Sequence, residues 1–203
     1  FCIDRAGIVG NDGATHHGLL DMAYLRPIPN MVIGAPMTKE DLETMMCLAK
    51  DYDGPIAIRY PRGRSMSATS NGQLTIGKGV CLKEGSQIAV LSIGAMGNTV
   101  ADAIEALGEK AAQVAHYDMR WLKPIDEDLL HTVGKTFDTI ITVEDGMISG
   151  GLGSAVLEFM ADNGYTPRVI RLGVNDQFVE HGSTKELYQL LKLHHQIYFL
   201  YYL

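Results

Sequence analysis

"QIAVLSIG", residues 87–94, is the stretch that decides the fold. Its apolar run is nearly continuous, where a strand with one wet face would alternate. A strand reads this way when both faces are covered, as in a mainly parallel sheet flanked by helices. The chain on its C-terminal side repeats the pattern. A helix is predicted over about 97–109, a strand near "AQVAHYD" (112–118), a helix over about 126–136 and the strand "DTIITVED" (138–145). "GGLGSAVLEFMADNG" (150–164) is a turn and a helix ended by Gly164, and "RVIRLGV" (168–174) is a further strand. "STKELYQLL" (183–191) opens on a capping box, Ser183 with Glu186, and Leu187, Leu190 and Leu191 form its expected buried stripe. Strands alternating with helices give an α/β class.

Upstream of residue 87 the same alternation appears in shorter pieces. "FCID" (1–4), "NMVIGAP" (30–36) and "GPIAIRYP" (54–61) are predicted strands, and a short helical run lies near Leu19 to Leu25. "TKEDLETMMCLAK" (38–50) is a helix with a capping box of Thr38 and Asp41. Its Leu42, Met45, Met46 and Ala49 make one apolar stripe. Between the two halves "RGRSMSATSNGQLTIGKG" (62–79) is polar and rich in Gly and Ser, the composition of a linker. The expected organisation is a first unit at 1–64, a linker at 65–79 and a second α/β unit at 80–203.

Composition narrows the function. A 46% hydrophobic share suits a chain that buries a core, and a net charge of −7 argues against general nucleic-acid binding. An anionic substrate would need a local group of arginines. Cys2, Cys47 and Cys81 are odd in number and lack C-x-x-C spacing, so reduced, partly buried thiols in a cytoplasmic protein are expected. No apolar run reaches the roughly 20 residues that span a bilayer, and no signal peptide is visible. The chain opens on Phe1 inside what reads as a strand, so a missing N-terminal part is expected. The aromatic tail "HHQIYFLYYL" (194–203) reads either as a buried terminal strand or as an irregular end; its His194 and His195 read as surface residues.

In a parallel sheet, ligands bind beyond the carboxyl ends of the strands. That rule selects "DRAGIVGNDGATHHG" (4–18), after the first strand, and "RYPRGR" (59–64), after the third. If those strands are parallel, Arg5, Asp12 and His16 face Arg59, Arg62 or Arg64 across one cleft. Guanidinium forks suit phosphate oxygens, so two arginines from separate loops can clamp a phosphorylated substrate. His16 titrates near neutrality and can move protons. Asp12 can orient a substrate hydroxyl or hold the imidazole, and His17 reads as a neighbour. Gly10, Gly13 and Gly18 allow positive φ and close approach. The bland alternative is a plain turn, with Arg59 as an ion-pair partner at a strand end.

Three other stretches invite a role. "GGLGSA" (150–155) has Gly151-x-Gly153 after a strand and before a helix, but Val156 stands where a dinucleotide fingerprint has its third glycine. A tight turn is the better reading, and a nicotinamide-binding protein the weaker one. "YDMRWLKPID" (117–126) is expected to pack against another domain or subunit. Glu144 and Asp145 are expected to be structural, as a charge pair for the following helix.

In order, "DRAGIVGNDGATHHG", "YLRPIPNMVIGAP" (24–36) and "GPIAIRYPRG" (54–63) resemble the 1-deoxy-D-xylulose-5-phosphate synthase family, within the transketolase-like thiamine-diphosphate enzymes. "DMRWLKPID", "VEDGMISGGLGSAV" (143–156) and "VEHGSTKELY" (179–188) are similar to segments of that family's last domain. The resemblance extends to about Leu193. It implies part of a parallel-sheet pyrimidine-binding domain followed by a transketolase C-terminal-like α/β domain. It also implies condensation of pyruvate, with loss of CO2, and D-glyceraldehyde 3-phosphate. Arg5 and Arg62 would bind the substrate phosphate, and Asp12 and His16 would be the catalytic residues. Thiamine diphosphate and Mg2+ would serve the complete enzyme, but no Gly-Asp-Gly motif occurs here. The cofactor determinants are expected upstream of Phe1, in a missing N-terminal cofactor domain, with no metal ligand in this chain. A homodimer is implied, with no nucleic-acid or membrane partner, and the isolated chain is expected to be inactive. The competing reading is a non-catalytic docking fragment of a transketolase-like complex.

Overall fold

The computed structural model describes residues 1–63 and 73–191. Arg64, most of the expected linker, and the tail with His194 and His195 lie outside the described residues. Two sheets form. In the first, β1 (Cys2–Ile3), β3 (Ile56–Arg59) and β2 (Val32–Gly34) are parallel neighbours, in that order. In the second, β5 (Ile88–Ser92) lies between β6 (Val114–Asp118) and β8 (Thr139–Met147), with β9 (Arg168–Val174) beside β8, all parallel.

All five β5 residues are buried, as the continuous apolar run predicts. Their side chains alternate across the sheet. Ile88 and Val90 pack with Val100 and Ile104 of α3 (Met96–Glu105). Ala89 and Leu91 face the other way, into a core with Ile33, Ala35 and Ala57 of the first sheet. One apolar core therefore joins the two sheets.

Two antiparallel strands went unpredicted. β4 (Val80–Lys83) adds to the outer edge of β6. β7 (Trp121–Lys123) leaves the second unit and pairs with β2, completing the first sheet. Its Trp121 is fully buried against Gly34, where an added Cβ would lie 2.7 Å from the indole ring. "YDMRWLKPID", expected to pack against another domain or subunit, packs against the first unit of the same chain: Met119, Arg120, Trp121 and Leu122 are all buried. Within the expected linker, Leu74 is buried beside Met45, Ile58 and Trp121.

The capping boxes form as predicted. Thr38 Oγ1 accepts the Asp41 amide at 3.1 Å and opens α2 (Lys39–Asp51), whose Met45 is fully buried. Ser183 opens α6 (Thr184–Leu190) in the same way. Here the expected stripe is wrong at one place: Leu190 is 72% exposed, and Tyr188 packs inward with Leu187 and Leu191. Cys2, Cys47 and Cys81 are unpaired, as expected, but exposed rather than partly buried. No helix among the described residues is long and apolar enough to cross a membrane.

Candidate functional site

Strands β1 and β3 pair in parallel with Ile3 opposite Arg59, so the loops at 4–18 and 60–63 leave the same sheet edge. The first loop is closed at its base by Gly7 and Gly18, which exchange backbone hydrogen bonds of 2.7 and 2.9 Å. Gly7, Gly10 and Gly13 take φ of 78°, 87° and 74°. Gly18 does not have positive φ; an added Cβ there would lie 2.4 Å from the Arg5 carbonyl oxygen, so close approach is its reason.

Three of the predicted residues come together. Arg62 Nη1 donates to Asp12 Oδ2 at 2.5 Å, and Arg5 Nε lies 3.8 Å from the same oxygen. The Asp12 and Arg5 side chains are half-buried. Arg5 Nε itself is buried with no hydrogen-bond partner among the described residues. Arg5 also holds φ at 58°, a conformation sparsely used by non-glycine residues and characteristic of functional sites. Arg62 lines a cavity of about 630 Å³ with Met37, Thr38, Tyr60, Asn98 and Asp102. Burial, then nearby Cys2 and Asp4, raises the Tyr60 phenol above its ordinary range.

His16 is exposed on the same loop and is hydrogen-bonded through Nδ1 to Thr15 Oγ1 at 2.9 Å. His17 does something else. Its Nδ1 accepts the Val9 amide at 3.1 Å, and its Nε2 meets the Glu180 carbonyl at 3.2 Å. That pair of contacts requires the neutral ring protonated on Nε2. His17 therefore ties the loop to the last unit.

Arg59 is not a cleft residue. It is 4% exposed and holds Asp21 through two hydrogen bonds of 2.7 and 3.2 Å. Its Nη2 also reaches the carbonyls of Gly18 and Asp145 at 3.1 and 3.0 Å. The ion-pair reading of Arg59 is the one the geometry bears out. Arg120 plays a similar part elsewhere, lying 3.8 Å from Asp41 at the start of α2 and 4.0 Å from Asp118 at the end of β6.

The glycine turn before α5 (Leu152–Asp162) has no room for a dinucleotide phosphate. Glu144 already occupies the helix N-terminus, its carboxylate accepting the Leu152 and Gly153 amides at 2.8 and 2.9 Å. A Cβ at Gly151 would lie 1.8 Å from Glu144 Oε2. Burial drives the Glu144 carboxyl up to about 7, against the pull of the two amides. Glu144 is thus the expected N-terminal charge of the helix. Asp145 turns to the other face, accepting the Ile8 amide at 3.2 Å and the Tyr188 hydroxyl at 2.6 Å. Sequence reasoning missed this role for Asp145, since no spacing ties residue 145 to residue 8. No cluster of His, Cys, Asp or Glu among the described residues is arranged to hold a metal ion.

Comparison with known proteins identifies the class. The family model for the transketolase pyrimidine binding domain matches residues 1–66, and that for the transketolase C-terminal domain matches residues 77–196. The chain belongs to the transketolase family. Within it, the chain corresponds to the C-terminal portion of proteins named 1-deoxy-D-xylulose-5-phosphate synthase. The relative from Parabacteroides distasonis is 58% identical over 94% of this chain and 31% of its own length. That from Bacteroides fragilis is 55% identical over 94% of this chain and 30% of its own length. The chain thus spans about a third of these relatives. Among solved structures, a split-gene transketolase described as an inactive β4 tetramer has a TM-score of 0.85 at 27% identity, over 99% of this chain and 64% of that one. A transketolase from Campylobacter jejuni shares the fold, with a TM-score of 0.74 at 17% identity over 98% of this chain and 30% of that one.

Proposed function

We propose that this chain works within a 1-deoxy-D-xylulose-5-phosphate synthase, joining pyruvate, with loss of CO2, to D-glyceraldehyde 3-phosphate. The observation that carries this reading is the orphaned Arg5 Nε beside the Arg62–Asp12 pair. Two guanidinium groups from two loops face one carboxylate oxygen, and the Arg5 Nε, 3.8 Å from it, makes no hydrogen bond among the described residues. A phosphate dianion offers oxygens to both, with charge-assisted hydrogen bonds stronger than a half-exposed carboxylate provides. Arg5 and Arg62 bind the phosphate; Asp12, released, faces the substrate hydroxyls; exposed His16 carries a proton to or from the aldehyde oxygen.

In the complete enzyme thiamine diphosphate would supply the carbon nucleophile chemistry for pyruvate. The described residues do not fit its diphosphate or Mg2+. They present no acidic cluster, and Glu144 fills the glycine-turn helix terminus. In this proposal the cofactor is held by the portion of the enzyme to which this chain does not align. The unit of residues 1–64 then supplies the phosphate site, and the unit of residues 80–203 packs beside it. Replacing Arg62 by Ala in the complete enzyme should raise KM for glyceraldehyde 3-phosphate about tenfold or more while KM for pyruvate stays within about twofold. Equal effects on both substrates would refute the clamp.

The split-gene relative favours a second reading, in which the chain alone self-associates and is inactive. Gel filtration and turnover, with and without a cofactor-binding partner chain, separate the two. Turnover restored in a stoichiometric complex supports a catalytic role, and a tight complex without turnover supports docking alone.

A further inference from the structure

The loop at 4–18 begins on the first sheet, but most of its support comes from the second unit. Gly10 lies against Gly182 and Thr184, and Gly13 against His181. The His17 ring reaches the Glu180 carbonyl. Gly10 and Gly13 are buried, whereas Glu180, His181 and Thr184 are exposed. Asp145 on β8 is only partly exposed: its two carboxylate oxygens lie 3.3 and 3.2 Å from the Ile8 amide nitrogen. Tyr188 of α6 holds the same carboxylate through its hydroxyl at 2.6 Å. The backbone rests directly on this group, since a Cβ at Gly7 would lie 1.9 Å from Asp145 Oδ2.

We infer that Asp145 is a positioning residue for the substrate loop, fixing residues 8–18 through the Ile8 amide while Tyr188 fixes Asp145. The inference rests on the reaction proposed above. Its logic is geometric. Arg62 comes from the β3 side, whereas Arg5 and Asp12 flank the anchored Gly7–Ile8 step. Arg5 is held to the first sheet by the Ala6 amide on the Tyr60 carbonyl at 3.0 Å, so it is Asp12 and His16 that keep a common focus with Arg5 and Arg62 only while Ile8 is pinned. A small shift in such a focus costs far more in substrate capture than in folding. Neither unit alone carries the whole device, because the loop belongs to the first and the anchor to the second.

The test combines amide hydrogen exchange of this chain with steady-state kinetics of the complete enzyme, for Asp145→Ala, Asp145→Asn and Tyr188→Phe. Asn keeps an oxygen for the Ile8 amide. Asp145→Ala should speed exchange across residues 8–17 while β5 keeps its protection, and raise KM for glyceraldehyde 3-phosphate about tenfold with KM for pyruvate within about twofold. Asp145→Asn should recover most of both effects. Tyr188→Phe should move both in the same direction by a smaller factor, and it decides the matter if Asp145→Ala does not fold. Unchanged loop exchange in a folded variant overturns the inference. So does faster loop exchange with unchanged KM, or an equal rise in both KM values. If the unsubstituted enzyme does not join these two substrates, the proposed reaction falls, and the exchange measurement alone decides whether Asp145 anchors the loop.

Discussion

His116 offers the sharpest test of how the second sheet is held together. It lies on β6, 2% exposed, with Nε2 2.8 Å from the fully buried Ser92 Oγ on β5. Burial lowers its imidazole from the ordinary 6.5 to about 4. The folded state therefore favours neutral His116, while the unfolded chain takes up a proton below about 6.5. Stability from this group is complete above pH 6.5 and is lost as pH falls toward 4. For these two values the loss is about 1.4 kcal/mol at pH 5.5 and about 2.5 kcal/mol at pH 4.5. Asp118 and Glu144 are both pushed up to about 7 by burial, and act in the opposite sense. Their stabilising contribution is complete below about pH 4 and is lost as pH rises through 7. They are common to the parent and to His116→Gln, so the difference between the two proteins isolates His116. Urea unfolding of both, from pH 7.5 to 4.5, should show the parent losing about 2.5 kcal/mol relative to the variant. A difference that stays flat with pH would mean that the buried imidazole is not held neutral, and the reasoning would fail.

Gly7→Ala combines a φ of 78° with a Cβ 1.9 Å from Asp145 Oδ2. It should cost at least about 2 kcal/mol in denaturant unfolding and weaken binding of glyceraldehyde 3-phosphate, because the anchor must move. Glu144→Gln leaves one oxygen for two helix amides and turns an NH2 toward the second. It should lower stability by about 1–3 kcal/mol, read as a shift in thermal midpoint at constant pH.

Much of this architecture is legible because burial leaves a direct mark on residue order. The unbroken apolar run at 87–94 requires cover on both faces, and β5 has it. The Thr38 and Ser183 boxes are local chemistry, complete within three residues, and both form. Strand β7 was hidden because three residues make no pattern, and its place depends on a remote partner, β2. Leu190 misled for a related reason. Periodicity gives a stripe but not its width, and Tyr188 took the inward place by reaching Asp145. The charges of the cleft divided in the same way. Strand parallelism brings Arg5 and Arg62 to one edge, but only the fold tells that Arg59, three residues before Arg62, turns inward to Asp21.

That division between Arg59 and Arg62 is what the proposed phosphate site needs in a net acidic chain. Arg59 is neutralised by Asp21, and its Nη2, which also bonds Asp21, donates to the Gly18 and Asp145 carbonyls, so its charge is committed to joining loop, sheet and second unit. Such a buried pair adds little net stability, but breaking it is costly, and so it acts as a locator. Arg5 and Arg62 are left half-buried or exposed, with a single shared acid in Asp12. Two cations on one carboxylate are under-compensated, and in a partly desolvated cleft that imbalance favours an incoming dianion over the resident monoanion. In the proposed clamp Asp12 is as much a placeholder for the phosphate as a reacting group, and selectivity for a phosphorylated partner would come from charge number as well as shape.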